Sequence, residues 1–432
     1  MKKKLINIVT LGCSKNTVDS EHLMAQLAEA GWSVVFDSNS SDAKVVVINT
    51  CGFIGDAKEE SVNTILEFVR AKEAGLIEKI YVIGCLSERY KKDLEAEIPE
   101  VDGYFGARTL EDVVRELTGD FKPELQCRRI ITTPSHYAYL KISEGCNWRC
   151  GYCAIPLIRG THRSVPMEDL LKEARLLAQG GVKELIVIAQ DSTYYGIDLY
   201  GERRIAQLLR ELCKIEGLEW IRLHYAYPSQ FPLEVLEVLR DEPKMCKYLD
   251  LPVQHISTNQ LKAMRRNITR EQTEELISKI RKEVPGITLR TTMIVGYPGE
   301  TEADFGELVD FVTTTKFDRL GVFTYSEEEG TYSAEKLQND VPEDEKERRR
   351  DEIMEIQSAI SLAKNEEKVE KTFRVIIDRV EGDYFVGRTE GDSPEVDNEV
   401  LISSKEKLTV GEFYNVAISD ADEYDLYGKV VN

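Results

Sequence analysis

The sequence predicts an α/β chain in three parts: an N-terminal parallel α/β sheet domain, a central partial (β/α)6 barrel and a small C-terminal antiparallel β-barrel. Three observations carry that expectation. Apolar runs alternate with helical patterns over roughly the first 120 residues, a longer alternation follows, and short alternating strands replace both near the end. A chain of 432 residues also exceeds what one core normally organises. The expected parts are 1–120, a linker over 121–134 that lacks periodicity, 135–370 with a long helix at its end, and 371–432.

In the first part the strand candidates are Ile6–Gly12, Val45–Asn49 and Lys79–Gly84. Between them run helices over Glu21–Ala30, with Leu23, Met24, Leu27 and Ala28 on one face and a stop at Gly31, and over Lys58–Ala74. Six more strands are expected in the second part: Tyr137–Ser143, Glu184–Gln190, Trp220–Tyr225, Tyr248–Val253, Thr288–Gly296 and Arg319–Tyr325. Helical patterns such as Glu168–Gln179 separate them, and six consecutive βα units favour a partial barrel over an open sheet. The long helix, Glu343–Lys371, shows a stripe of Ile353, Ile356, Ile360 and Ala363; its run Lys346, Arg348, Arg349, Arg350 reads as a solvated face with acidic neighbours. Strands at Phe373–Asp378 and Tyr384–Arg388, set off by Glu381-Gly382-Asp383 and Gly391-Asp392-Ser393-Pro394, begin the terminal barrel.

Composition narrows the function. No apolar run reaches membrane-spanning length, and the start Met1-Lys2-Lys3-Lys4, followed by Leu5 to Cys13, reads as a strand rather than a leader, so a cytoplasmic location is expected. Fifty-six basic against 77 acidic residues give a net charge of −21, which repels nucleic-acid phosphates and favours a basic partner. Nine cysteines in a reducing compartment point to metal or redox chemistry rather than disulfides.

The sharpest motif is Cys146-Asn147-Trp148-Arg149-Cys150-Gly151-Tyr152-Cys153, a C-x3-C-x2-C spacing directly after the first barrel strand. Thiolates ligate iron–sulfur clusters, and three ligands for four irons leave one iron with an open position. Structural zinc wants a fourth ligand, and none falls at a matching offset, His162 being nine residues further on. Arg128, Arg129, Lys141, Arg149, Arg159 and Arg163 surround the motif with only Glu144 opposing them, a field expected to lower thiolate pKa values. The motif resembles the signature of the radical S-adenosylmethionine superfamily. That resemblance implies an iron that binds the methionine amino and carboxylate groups, with Tyr152 near the adenine and a 5′-deoxyadenosyl radical released on reduction.

Cys13, Cys51 and Cys85 each follow a strand of the first part, where a parallel sheet would gather them along one edge. Cys127, Cys213 and Cys246 share no such position and read as core or incidental thiols. Two triplets of thiols resemble the methylthiotransferase family. So do Leu11-Gly12-Cys13, Asn49-Thr50-Cys51, Gly84-Cys85, Leu251-Pro252-Val253-Gln254-His255, Gly296-Tyr297-Pro298-Gly299-Glu300-Thr301 and a terminal barrel like a TRAM domain. The resemblance implies two [4Fe-4S] clusters, one on Cys13, Cys51 and Cys85 and one, binding S-adenosylmethionine, on Cys146, Cys150 and Cys153. It also implies an external electron donor. Gln190 and Asp191, at a strand end, are candidates to touch S-adenosylmethionine, and His255 and the Gly296–Gly299 turn occupy similar places. Pro156–Pro166 is similar to the family's arginine-rich continuation, except that Val165 stands where an arginine is expected.

Charge separates the family's branches. Residues 371–432 hold 7 basic and 14 acidic residues, and a barrel gripping tRNA should be basic. With Asp422-Glu423-Tyr424-Asp425-Leu426-Tyr427-Gly428 and the segments Gly387-Arg388-Thr389 and Ser393-Pro394-Glu395-Val396-Asp397, this resembles the RimO-type branch. That branch methylthiolates the β-carbon of an aspartate in the small-subunit ribosomal protein numbered twelve. The alternatives are a tRNA adenosine methylthiotransferase, of MiaB-like kind, and a non-catalytic iron–sulfur or zinc protein acting on the ribosome.

Overall fold

The computed structural model describes residues 4–38, 42–404 and 406–431. Its first body is a parallel sheet of β1 (Leu5–Thr10), β2 (Ser33–Phe36), β3 (Val45–Thr50), β4 (Lys79–Gly84) and β5 (Gly103–Tyr104), in the order β2-β1-β3-β4-β5. Helices α1 (Ser14–Glu29), α2 (Gly55–Glu73), α3 (Cys85–Glu97) and α4 (Leu110–Thr118) connect the strands. Leu23, Met24 and Leu27 of α1 meet Val113 and Val114 of α4 on one face, and Ile65 and Val69 of α2 join Leu94 of α3 on the other. The stretch 121–134 is tied down rather than free. Gln26 donates to the Lys122 carbonyl at 2.8 Å, Glu21 accepts from the Thr132 amide at 2.7 Å, and buried Arg129 lies between Glu21 and Glu173.

The central body contains, in chain order, β6 (Tyr137–Lys141), β7 (Ser143–Glu144), α5 (Ile155–Ile158), β8 (Arg163–Ser164), α6 (Met167–Gln179) and β9 (Glu184–Ile188). Then come α7 (Ile197–Tyr200), α8 (Ile205–Cys213), β10 (Trp220–Leu223), α9 (Glu234–Asp241), β11 (Met245–Asp250), α10 (Thr258–Ala263) and α11 (Arg270–Glu283). It closes with β12 (Thr288–Val295), α12 (Glu302–Thr315), β13 (Arg319–Thr324), α13 (Tyr332–Lys336) and α14 (Glu343–Glu366). Six parallel strands form the sheet β13-β12-β11-β10-β9-β6, the expected partial (β/α)6 barrel. In β12, Leu289, Thr291, Met293 and Val295 alternate toward the helical shell, leaving Arg290 and Thr292 toward the interior.

Helix α14 stops at Glu366 rather than Lys371, and a turn leads into β14 (Thr372–Glu381). Three members of its stripe behave as expected, Ile353 fully buried with Ile356 and Ile360 packed beside it, whereas Ala363 is exposed. The basic run differs from a solvated face. Lys346 and Arg349 are buried, and Arg349 spans Glu300, Glu302 and Glu345. With β15 (Tyr384–Thr389), β16 (Glu399–Ile402), β17 (Phe413–Ala421) and β18 (Asp425–Val430), β14 closes a barrel in the order β14-β15-β16-β18-β17. All its pairings are antiparallel except β16 with β18.

That small barrel inserts its 389–398 segment into the central one from below. Arg222 donates to the Glu390 carbonyl at 2.7 Å, Arg319 binds Asp392, Ser393 meets His224 at 2.9 Å, and Tyr248 donates to Asp397 at 2.7 Å. Tyr137 and Tyr139 both reach Glu395. Asp378, Asp392, Glu395 and Asp397 therefore face the central body, so part of the acidic surplus read from the sequence is internal. At the base, fully buried Glu184 accepts from Arg222 and Arg388, each at 2.8 Å.

Among the described residues no helix is long and apolar enough to cross a membrane. Of the leader-like start, Leu5–Thr10 is β1, and Met1–Lys3 lie outside the described residues.

Despite its burial, Arg388 and Arg222 hold the Glu184 carboxyl below its ordinary 4.5. Its ion pairs therefore stabilise the fold fully above that pH and are lost as pH falls through the depressed value. Glu184→Gln should cost about 3–5 kcal/mol at neutral pH, because two buried guanidiniums lose a shared carboxylate. Urea denaturation from pH 7 to 3 should show the wild-type advantage shrinking in acid; an equal midpoint at pH 7 would refute this account.

Candidate functional site

The strand order β2-β1-β3-β4-β5 reverses direction between β1 and β3, and in such sheets ligands bind beyond the carboxyl ends at that reversal. Cys13 ends the loop after β1, Cys51 directly follows β3, and Cys85 opens α3 straight after β4. Two glycines let these ends converge. Gly12 has φ +92°, and a Cβ there would stand 2.8 Å from the Cys51 Cβ. Gly84 has φ +98°, and its Cβ would fall 2.4 Å from Asn49 Oδ1 and 2.6 Å from the Thr50 carbonyl.

The second triplet lies on the loop between β7 and α5, which is fastened at several points. The Cys146 amide donates to Gly160 at 3.0 Å, and that of Gly151 to Met264 at 2.9 Å. The Trp148 ring stacks on Tyr227 with centroids 4.2 Å apart, while its Nε1 donates to Asp191 at 2.6 Å. All six thiols line one cavity of about 460 Å³ between the N-terminal sheet and the barrel mouth. They ring it rather than close on a point: among the described residues, no three His, Cys, Asp or Glu side chains are grouped for a single ion.

The N-terminal sheet covers that mouth like a lid held at both edges. On the β6 side, Arg159 donates to Asp19 at 2.8 Å and Glu144 at 3.0 Å and also binds Asn16, while Lys141 joins the same two carboxylates. Against its burial, Lys141 and Arg159 bring Glu144 down to about 2. On the β13 side, Glu328 takes Arg89 at 2.6 Å and Lys58 at 2.9 Å.

Burial dominates four of the six thiols. It pushes Cys85 up to about 11 and Cys146 up to about 12, and it raises Cys51 and Cys153 as well. Arg159, 3.3 Å from the Cys85 sulfur, lowers that value only partly, so the expected lowering by the basic loop is outweighed by desolvation. A metal loading these thiols must displace their protons.

Tyr152 and Gln190 both lie on the cavity wall. Gln190 gives its amide to Glu144 at 2.9 Å, and its buried Oε1 has no partner, which leaves an acceptor for a ligand. Asp191 is not on the wall: besides holding Trp148, it caps the turn at Ser192–Tyr194. His255 is fully buried off the wall, and the Gly296–Gly299 turn is tied by Glu300, which accepts the Gly296 and Tyr297 amides. Cys127, Cys213 and Cys246 are buried away from the cavity.

Sequence reasoning missed Lys15, Tyr227 and Arg266, which also line the cavity. Arg266 donates to Tyr152 at 3.3 Å and stands 3.7 Å from the Cys150 sulfur. Left-handed backbone at Arg265 and Asn267 aims it there, and periodicity carries no signal of such a turn.

Three family models match stretches of the chain. Residues 5–106 match the uncharacterized protein family UPF0004, 140–312 the Radical SAM superfamily and 369–431 the TRAM domain. A Bacteroides thetaiotaomicron protein named ribosomal protein uS12 methylthiotransferase RimO is 55% identical over 433 residues, covering 100% of this chain and 99% of its own. A Flavobacterium johnsoniae protein of the same name is 57% identical over 431 residues, covering 99% and 98%. Among solved structures, the radical S-adenosylmethionine methyltransferase TsrM from Kitasatospora setae aligns with a TM-score of 0.55 at 15% identity over 77% of each chain. The cobalamin-dependent S-adenosylmethionine radical enzyme OxsB gives 0.53 at 15% identity, over 82% of this chain and 56% of that one. At such identities the likeness is one of fold.

Gly84→Ala should destabilise the protein by about 1–3 kcal/mol, since it forces a left-handed alanine against Asn49 and Thr50. Thermal unfolding of the metal-free protein checks this, and a melting temperature equal to wild type would contradict it.

Proposed function

The chain belongs to the ribosomal protein uS12 methylthiotransferases, and on that premise we propose that its six cavity thiols are the ligands of the family's two [4Fe-4S] clusters. Cys13, Cys51 and Cys85 would hold one, and Cys146, Cys150 and Cys153 the other, together with S-adenosylmethionine. One observation carries the assignment: thiols from two separately folded parts of the chain line a single chamber. When bound, the clusters supply an open iron for S-adenosylmethionine, the electron that cleaves it and the sulfur that is inserted.

The enzyme is a radical S-adenosylmethionine methylthiotransferase that modifies the β-carbon of an aspartate in ribosomal protein uS12. Its own residues bind, orient and exclude water. The N-terminal sheet, held at both edges of the barrel mouth, fixes the spacing of the two triplets, so orientation is set before substrate arrives. Tyr152 and the free Gln190 oxygen offer a stacking face and an acceptor to S-adenosylmethionine. Trp148, Tyr227 and Tyr225 give the wall an aromatic lining that keeps out the water a primary radical would encounter. In this reading the reaction takes place in the cytoplasm with an external electron donor. The acidic terminal barrel faces a basic ribosomal protein rather than nucleic acid.

Anaerobically reconstituted wild type should hold about eight irons per chain, and the triple variant of Cys13, Cys51 and Cys85 to Ala about four. The triple variant should still release 5′-deoxyadenosine but form no methylthio product on uS12 by mass spectrometry. Replacing Cys146, Cys150 and Cys153 by Ala should abolish the release. Methylthiolated tRNA with unmodified uS12 would overturn the substrate reading; an unchanged iron count in either variant would overturn the ligand assignment.

A further inference from the structure

Among the described residues, the chamber contains a cation that no carboxylate pairs. Three basic side chains line it, and among the described residues no aspartate or glutamate does. Arg159 is committed to Asp19, Glu144 and Asn16 and stands beside Cys85. Arg266 is committed to Tyr152 and the Pro252 carbonyl and stands beside Cys150. Each of these arginines lies against a thiol of one triplet. Lys15 has no such commitment: its ammonium is over the Tyr225 ring, 3.2 Å from the centroid, and no carboxylate or hydrogen-bond acceptor meets it among the described residues.

Keeping it there is costly. Lys15 is only 8% exposed, and a buried ammonium without an ionic partner is among the most unfavourable groups a fold can retain. A ring face offsets only part of that desolvation. The arrangement is nevertheless built: Lys15 occupies the first turn of α1, two residues after Cys13, and Tyr225 holds a left-handed backbone at φ +58° just past β10. The Tyr225 amide is fixed to Asp250 at 3.1 Å and its carbonyl accepts from Ser192 at 3.0 Å. A rigid aromatic seat thus presents one unpaired positive charge to a chamber shared by both thiol triplets.

We propose that Lys15 is the specificity-determining residue that binds the side-chain carboxylate of the target aspartate. The inference rests on the substrate reading given above and adds the group that recognises it. The reacting β-carbon is bonded directly to the carboxyl carbon, so a grip on the carboxylate fixes the reacting carbon one bond away. An asparagine in the same place could turn its amide oxygen to the ammonium but brings no negative charge, so it forgoes the ionic attraction and leaves the buried ammonium uncompensated.

The test uses the reconstituted holoenzyme and two synthetic peptides spanning the uS12 target, one with the aspartate and one with asparagine in its place. Fluorescence anisotropy should show wild type preferring the aspartate peptide. Lys15→Met should weaken its binding by roughly 30-fold or more and abolish the preference. Lys15→Arg, which restores the charge, should recover most of it, and iron and sulfide content should equal wild type in both variants. An unchanged aspartate-to-asparagine ratio in Lys15→Met would overturn the assignment. So would a parallel loss of cluster iron or of peptide-independent 5′-deoxyadenosine release, which would give the lysine to a cluster or to S-adenosylmethionine instead. A wild type indifferent to the two peptides would overturn the substrate reading itself, and the role of Lys15 with it.

Discussion

Arg159 does two things that no other described residue combines: it sits against a thiol of the N-terminal triplet, and it binds carboxylates from both bodies that flank the chamber. Asp19 comes from α1, whereas Glu144, Lys141 and Arg159 come from the central body. Buried ion pairs of this kind are poor sources of net stability, because the desolvation of each charge offsets the attraction. Their value is geometric. Any sliding of the sheet over the barrel mouth would leave at least one of these charges buried and unpaired, so the two triplets are held at one separation. Glu328, with Arg89 and Lys58, does the same at the far edge.

Much of this was legible from the sequence, because the thiols follow strands and strands are visible as apolar runs. The edge that gathers Cys13, Cys51 and Cys85 required only that β1, β3 and β4 be parallel neighbours. The two-residue β5 left no such run, and the four-residue β2, although it carries Val34-Val35-Phe36, was not among the expected strands. Helix α1 begins seven residues before the expected Glu21 for a physical reason. Its first two turns carry Asn16, Asp19 and Ser20, polar residues paired with Leu11, Thr10, Asn49 and the central body instead of an apolar stripe. At β11 the apolar run Tyr248–Val253 pointed too late. Pro252 has no amide for the ladder, and the strand occupies Met245–Asp250 instead.

The interior of the central barrel was not legible. Such barrels are usually filled by branched aliphatic layers. Here Arg222, His224, Tyr248, Arg290 and Arg319 find their partners in residues 390–397, some 70 to 170 positions away in sequence. Read alone, those arginines resemble solvent-facing charge, and the acids of the last part resemble a docking surface. Only the pairing shows that those arginines, with Asp392, Glu395 and Asp397, are internal. Lys15 escaped notice for the opposite reason: one lysine early in a helix is unremarkable until no carboxylate proves to pair with it among the described residues.

The 389–398 segment also sets an order of assembly. Chains fold largely from the N-terminus as they are synthesised, yet the central strands cannot satisfy their charged interior until this late segment has emerged. A nascent central body therefore waits with its guanidiniums hydrated and its lower end open. The lower end of the central body is closed only when that segment docks, so its completion waits on a part of the chain that is translated after all of its own strands.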